Sequence, residues 1–484
     1  MHVASLHLFD LPPGYRGDFH ARVKRQMARR VHLAPIFERR LAPMPLQLAN
    51  PAWVRAATID LDYHVQRVTL PPPGTLAQLE DCAARLHGEL LDRSRPLWRL
   101  FVIAGLQTGQ VGYYIKAHHA VLDGNAAVLV ARALFDPGPR SRTPRSAPGA
   151  QPDEHPAAGA LLAAALRHDA GQYLKFLRRL PEVVRTLAGM LGPSGDAGGG
   201  RRPGRNFVFG PRTPLNVPIT AERGFAGLSL PLDALARLAA ENEVKLNDIV
   251  LALCSGALRR YLAQCACVPS RPLTAAMPIS LREAGDTEYT TQATMPPVNL
   301  HTDVADPLRR LRAISDSAEA VKSLVRRARG VVPMDFPSFG VPWLLHGLAR
   351  VYGGSRIAGV MPALANVVIS NIPGPKSPLY LAGARMSAYW PLSIVQHGVG
   401  LNITVMSYAS VMGFGFTTAR AAVPDPRRLT SALAEAFDEL VAATAGAGEP
   451  AKAAKAAKAA AGAPPRRKAA SHPGSRGAST RKPA

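Results

Sequence analysis

His118-His119-Ala120-Val121-Leu122-Asp123-Gly124 sets two imidazoles and a carboxylate directly after an apolar stretch. Imidazole is the side chain whose ordinary pKa lies nearest neutrality, so it accepts and returns a proton within one turnover. In a covered cleft that is the chemistry of a base for an attacking hydroxyl. Residue types alone leave other readings open. His119 also fits a buried, hydrogen-bonded histidine at a strand end. Asp123 stands where an N-cap belongs, before the apolar run Ala126 to Phe135, and Gly124 suits a tight strand-to-helix turn. His with Asp can also ligate zinc or iron, but no further His/Glu pair at ligand spacing accompanies them, and no metal is expected.

Other catalytic patterns are missing. The sequence has no Gly-x-Ser-x-Gly elbow, no phosphate loop ending in Lys-Ser/Thr, no His-Glu-x-x-His and no dinucleotide fingerprint. What remains is direct transfer with His119 as base, which needs no covalent intermediate.

The elements that must position this pair are legible around it. His2 to Phe9 reads as a strand and Leu76 to Leu91 as a helix. Trp98 to Ala104 and Val111 to His118 read as a hairpin about Gln107-Thr108-Gly109-Gln110. Val111, Tyr113, Ile115 and Ala117 share one face. If the extended backbone persists, His119 falls on that face and His118 on the other. In the second half, Asn247 and Asp248 precede a helix at Ile249 to Leu262. Strands follow at Leu273 to Pro278, Ala365 to Ser370, Leu379 to Ala388, Val399 to Ser407 and Gly413 to Thr418, then a closing helix at Pro426 to Ala443. Two α/β halves with mixed sheets and a cleft between them are the expected architecture.

Composition divides the chain further. Residues 136–158 and Gly192 to Arg205 read as linkers, flanking a basic amphipathic helix at Leu161 to Leu191 that Pro181 should kink or split. Such a helix packs on its own protein or lies on an anionic membrane. The net charge is +24, of which nine positive charges lie beyond Ala451 with no acid, leaving +15 on the rest. That balance favours anionic partners: a lipid surface, a nucleotide-bearing substrate or nucleic acid. Cys82, Cys254, Cys265 and Cys267 form neither a zinc-ligand set nor a disulfide framework, which fits a reducing cytosol. No apolar run reaches the roughly 18–20 residues of a membrane span, and the N-terminus lacks the form of a signal peptide. The expected domains are 1–136, a linker with helix at 137–206, 207–447, and a disordered Lys/Ala-rich tail at 448–484.

Several separated segments carry a resemblance. They are Pro96-Leu97-Trp98, the His118 to Gly124 motif, Asn247-Asp248-Ile249-Val250-Leu251-Ala252 with Gly256 to Leu262, and Pro278-Ile279-Ser280-Leu281-Arg282. Asn366-Val367 with Ser370-Asn371-Ile372-Pro373-Gly374-Pro375, and Leu401-Asn402-Ile403 with Ser407-Tyr408, complete the set. Together they resemble the bacterial wax ester synthase/diacylglycerol acyltransferase family, within the coenzyme A-dependent acyltransferases and peptide-synthetase condensation domains.

The resemblance spans residues 1 to about 445 and implies two chloramphenicol-acetyltransferase-like domains. The implied reaction moves a fatty acyl group from acyl-CoA to diacylglycerol or a long-chain fatty alcohol. No bound cofactor is implied; acyl-CoA is a co-substrate. His119 would be the general base. His118 would shape the channel or hold its neighbour, and Asp123 would be chiefly structural, paired with a cation such as Arg282. Asn247 and Asp248 resemble a motif tied to activity and also read as a helix cap. Asn366, Ser370 and Asn371 are where substrate-binding, oxyanion-stabilising donors are sought; the same residues also suit turn chemistry around Ile372-Pro373-Gly374-Pro375.

The expected setting is cytoplasmic, peripheral to the inner membrane face or to lipid inclusions. In the family a short helical segment usually precedes the Met-His-Val strand at which this sequence begins, which puts any acyl-chain contact from that segment in question. Competing readings are a condensation-type domain using carrier-bound acyl groups, and a non-catalytic binder of lipid inclusions or nucleic acid acting through the basic tail.

Overall fold

The computed structural model describes residues 2–42, 44, 50–121, 130–131, 133–141, 157–191, 210–280, 293–328 and 365–461. Sixteen strands are present among them: β1 (His2–Asp10), β2 (Arg39–Ala42), β3 (Ala52–Arg55), β4 (Val65–Thr69), β5 (Trp98–Ala104), β6 (Val111–His118), β7 (Arg223–Pro231), β8 (Thr274–Ala276), β9 (Ile279–Ser280), β10 (Ala293–Thr294), β11 (Pro297–Asn299), β12 (Val367–Ile372), β13 (Tyr380–Leu381), β14 (Ala384–Leu392), β15 (Leu401–Tyr408) and β16 (Val411–Ala419).

Two six-stranded mixed sheets organise the molecule. The first has the order β13-β14-β1-β6-β5-β4, and the second β11-β8-β12-β15-β16-β7. The pair β4/β5 is parallel, as are β12/β15 and β12/β8; the remaining neighbours in these sheets are antiparallel.

The hairpin β5–β6 forms at the residues its alternation and turn signal indicate, with Gly109 at φ +74° in the turn. Both faces of β6 are buried. The second cover is the helix Leu76–Gly88. Thr75 and Gln78 start it with a capping box: the Gln78 N–H donates to Thr75 Oγ1 at 3.2 Å, and the Thr75 N–H to Gln78 Oε1 at 2.7 Å. It lies so close to the sheet that a Cβ on Gly112 would stand 2.7 Å from Leu79 Cδ1.

The second half lends strands to the sheet of the first. The run from Leu379 breaks at Ala382 and Gly383, both at positive φ, and resumes as β14. β14 leaves the second half and pairs with β1 from Ala4↔Leu392 to Asp10↔Arg385. It crosses β16 so closely that a Cβ on Gly415 would meet Pro391 O at 1.8 Å. Trp390, nearly buried, spans the joint, its Nε1–H donated to Ser229 Oγ at 3.0 Å. Burying a large apolar side chain contributes about 1.5–3 kcal/mol, so this ring alone is a substantial clamp.

Three helices differ from expectation. Ala158–Leu191 runs as one helix through Pro181 and is not split there. Leu246–Gln264 starts before Asn247 and is buried nearly all round, packed between the second sheet and the helices Pro307–Ala328 and Arg427–Ala461. The closing helix passes Ala443 and continues to Ala461, as Ala- and Lys-rich sequence has strong helix propensity.

Candidate active site

β6 delivers the histidine pair. The His118 backbone N–H donates to Leu97 O at 3.0 Å, so the strand end is bracketed by Pro96-Leu97-Trp98. Trp98 is fully buried and stacks on His64 at 4.3 Å; its Nε1–H donates to Phe37 O, and His64 Nδ1–H donates to Trp98 O at 2.8 Å. The Trp motif is thus the abutment against which the His strand ends.

At His119 the backbone leaves extended geometry for a 3-10 turn, His119–Val121. The strand alternation therefore stops, and the expected placement of the two rings on opposite sheet faces does not carry through. His118 is half-buried, and its Nδ1 accepts the Ala120 N–H at 3.2 Å. Burial and nearby positive charge, from the chain's amino terminus and Arg93, push its pKa down to about 4. His119 is solvent-accessible, yet the surrounding protein and the amino terminus still hold its pKa below the usual 6.5. Both imidazoles are therefore neutral at pH 7, the form that accepts a proton.

Asp123 and Gly124 lie outside the described residues, as does Arg282. The chain that follows the motif is firmly anchored. Phe135 N–H bonds Ala131 O at 2.9 Å, and the buried Asp136 meets Arg30 at 2.8 and 3.0 Å.

In the second half, Asn247 and Asn371 come together, with Asn371 Nδ2 donating to Asn247 Oδ1 at 3.4 Å. Asp248 works for the helix. Its Oδ2 accepts the Lys245 N–H at 3.2 Å and the Ser315 hydroxyl at 2.9 Å, tying the helix start to its neighbour. The cap position itself is Lys245, not Asn247 or Asp248.

Asn366 is fully buried and spent on the fold: Nδ2 donates to Pro211 O at 2.6 Å and Asn216 Oδ1 at 2.8 Å, and Oδ1 accepts the Thr274 N–H at 3.0 Å. Both amide hydrogens are committed, which leaves it no donor for an oxyanion. Ser370 is half-buried and in register with Thr404. Asn402 and Thr404 extend that polar row, opposite in pleat to Ile403 and Val405, which face the core. The alternation Asn402-Ile403-Thr404-Val405 was the available signal for Thr404. The histidine pair and the Asn247/Asn371 pair belong to different halves, and among the described residues no hydrogen bond joins them.

Among the described residues, no group of three or more His, Cys, Asp or Glu is arranged to hold a metal ion, and no helix is long and apolar enough to cross a membrane.

Two family models cover this architecture: the wax ester synthase/diacylglycerol acyltransferase catalytic domain over residues 1–250, and the WS/DGAT C-terminal domain over residues 292–441. The chain belongs to the wax ester synthase/diacylglycerol acyltransferase family. A relative from Mycobacterium tuberculosis strain CDC 1551 / Oshkosh that carries the name diacylglycerol O-acyltransferase is 34% identical over 450 residues, covering 91% of this chain and 95% of its own. A Mycobacterium bovis relative of the same name is 33% identical over 445 residues, covering 91% and 94%. The solved wax ester synthase/diacylglycerol acyltransferase from Marinobacter aquaeolei VT8 superposes with a TM-score of 0.65 at 27% identity, covering 92% of this chain and 95% of that one. The first condensation domain of the CDA synthetase shares the fold alone, with a TM-score of 0.51 at 17% identity over 92% and 91% of the two chains. The chain is thus an acyltransferase of a family whose members carry paired condensation-like halves.

Proposed function

We propose that this acyltransferase moves a fatty acyl group from acyl-CoA to the hydroxyl of diacylglycerol or a long-chain alcohol, with His119 as general base. The observation that carries this reading is a neutral, accessible imidazole presented by the turn that ends a buried strand, in a chain of this family. His119 takes the hydroxyl proton as the alcohol oxygen bonds to the thioester carbonyl carbon. When the carbon–sulfur bond breaks, the imidazolium returns that proton to the coenzyme A thiolate, leaving ester and free thiol. An alcohol is some nine or ten pKa units less acidic than imidazolium, so proton removal is concerted with attack. Of the sought oxyanion donors, Ser370 and Asn371 remain available and Asn366 does not.

The acceptor alcohols are water-insoluble, and the helix Ala158–Leu191 suits the surface that holds them. It exposes Leu166, Tyr173, Leu174 and Leu177 beside the exposed Arg167 and Arg178, a pattern that lies on anionic lipid.

The deciding assay is coenzyme A release from palmitoyl-CoA, with diacylglycerol and hexadecanol as parallel acceptors in neutral and anionic vesicles. Wild type should turn over, faster on the anionic surface, and His119→Ala should lose about 10²–10⁴-fold in kcat, the usual worth of a general base. Full turnover by the variant would reject the base assignment. Dependence on a carrier-bound acyl donor would revive the condensation reading.

A further inference from the structure

Behind His118 and His119 lies a set of imidazoles that the proposed chemistry does not use. His2 is the cross-strand partner of His118, and their rings meet edge to face at 6.2 Å and 75°. His2 Nδ1–H donates to His87 O at 3.4 Å, and its ring stands 6.3 Å from that of His87. His87 is saturated in turn. Its Nε2 faces Ser393 O at 3.1 Å and so carries the proton, while Nδ1 accepts the Tyr114 hydroxyl at 2.9 Å.

The end of the array that matters is the bond from Ala120 N–H to His118 Nδ1. It runs from residue i+2 back to the side chain of residue i, the connectivity by which Asn and Asp close an Asx turn. The residue enclosed by that loop is His119. Its backbone, and with it the direction in which its ring leaves the chain, is set by the acceptor on His118. To accept there, Nδ1 must be bare, so the neutral ring carries its proton on Nε2.

We propose that His118 serves as the acceptor closing the turn that presents His119, and that His2, braced by His87, is a positioning residue holding the His118 ring in that role. The charged groups facing these rings agree with it. Lys116 on the same strand, Arg93 on the loop before β5 and the chain's amino terminus are all cations, and His118 and His2 are both held at about 4. Lys116 is itself fixed, its Nζ donating to Leu86 O at 2.6 Å and Glu89 O at 2.8 Å in the last turn and exit of the helix that carries His87. A protonated His118 would have no lone pair for Ala120, so burial first, and the surrounding positive charge after it, preserve the turn.

The role of the His118 turn rests on the proposed base function of His119, and the test separates the two. In the full chain, His118→Asn puts Oδ1 where Nδ1 stood and should keep kcat within about threefold, since one modest hydrogen bond is exchanged for another. His118→Phe keeps a ring without an acceptor, and His2→Ala removes the brace. Each should lower kcat about 10- to 100-fold with KM for palmitoyl-CoA within about twofold, the signature of a misplaced group rather than lost binding. Equal damage from Asn and Phe, or losses confined to KM, would overturn the proposal. A second readout needs neither activity nor a variant. ¹⁵N spectra of histidine-labelled wild type should show His118 as the neutral Nε2–H tautomer between about pH 8 and pH 5. An Nδ1–H tautomer, or protonation above pH 6, would refute the acceptor role even if the chain proved inactive on every acyl donor.

Discussion

Glu80 gives the sharpest test of how the two halves are joined. It is 4% exposed on the helix Leu76–Gly88, and its carboxyl accepts the Gly227 N–H of β7 at 2.8 Å. Burial raises its pKa from 4.5 to about 7, against the pull of the Gly227 bond and Arg427; Asp81 and Asp425 add to the rise. The sign follows from proton linkage. Below pH 4.5 the group is protonated in both folded and unfolded chains, and nothing is lost. Between 4.5 and about 7 the folded form keeps a proton that the unfolded form releases, so stability falls as pH rises, and above 7 the loss is complete. At about 1.4 kcal/mol per tenfold change in proton affinity, that loss is about 3 kcal/mol. Glu80→Gln copies the protonated form and keeps the acceptor for Gly227. Its urea midpoint should match wild type near pH 4.5 and exceed it at pH 8. The midpoint is the right observable because a chain of two halves need not unfold in one step. An equal midpoint at pH 8, or a lower one, would show that the carboxylate is not held in a medium that penalises its charge.

Two further substitutions separate fold from chemistry. Arg30→Met removes the paired partner of Asp136, both side chains being 3% exposed or less, and should cost about 3–5 kcal/mol; adding Asp136→Leu should recover most of it, as buried pairs replaced together are often neutral. A double variant no more stable than Arg30→Met in urea unfolding would contradict that account. Asn366→Ala strands the buried Thr274 N–H and should lower stability by about 1–3 kcal/mol. Its folded fraction should keep kcat/KM within about twofold. A catalytic loss at unchanged stability would return Asn366 to the substrate site.

The hairpin β5–β6 was legible to the residue because alternation and a Gly-containing turn are local signals. The partner of β14 was not. Its pattern marks a strand, but nothing in residues 384–392 says that the neighbour is β1, almost the whole chain away. The helix that covers the second face of β6 was hidden for the same reason: nothing local to Gly112, Tyr114 and Lys116 names the element that packs on them. Asn366 shows the limit for site residues. A polar side chain beside Ser370 and Asn371 suggests ligand donors, whereas only burial and three fold-internal bonds reveal that its capacity is used. Asp123 lies outside the described residues, so its competing readings as N-cap and as site residue stand as the sequence left them.

The crossing of β14 ties residues far apart in the chain into one set of contacts. Where β14 ends, Ser393 O accepts from His87 of the first half, and Ser393 N–H donates to Thr417 Oγ1 of the second at 3.1 Å. One residue on, Ile394 O accepts from Asn402 Nδ2 at 2.9 Å, and Asn402 Oδ1 takes the Thr404 hydroxyl at 2.8 Å. The histidine array of the first sheet thus holds Ser393, and the polar row of the second holds the next residue, Ile394. If His118 closes the His119 turn as proposed, Asn402→Ala should reach it through Ile394, Ser393, His87 and His2 and lower kcat with KM for palmitoyl-CoA unchanged; an unaltered kcat would confine the positioning contacts to the first sheet.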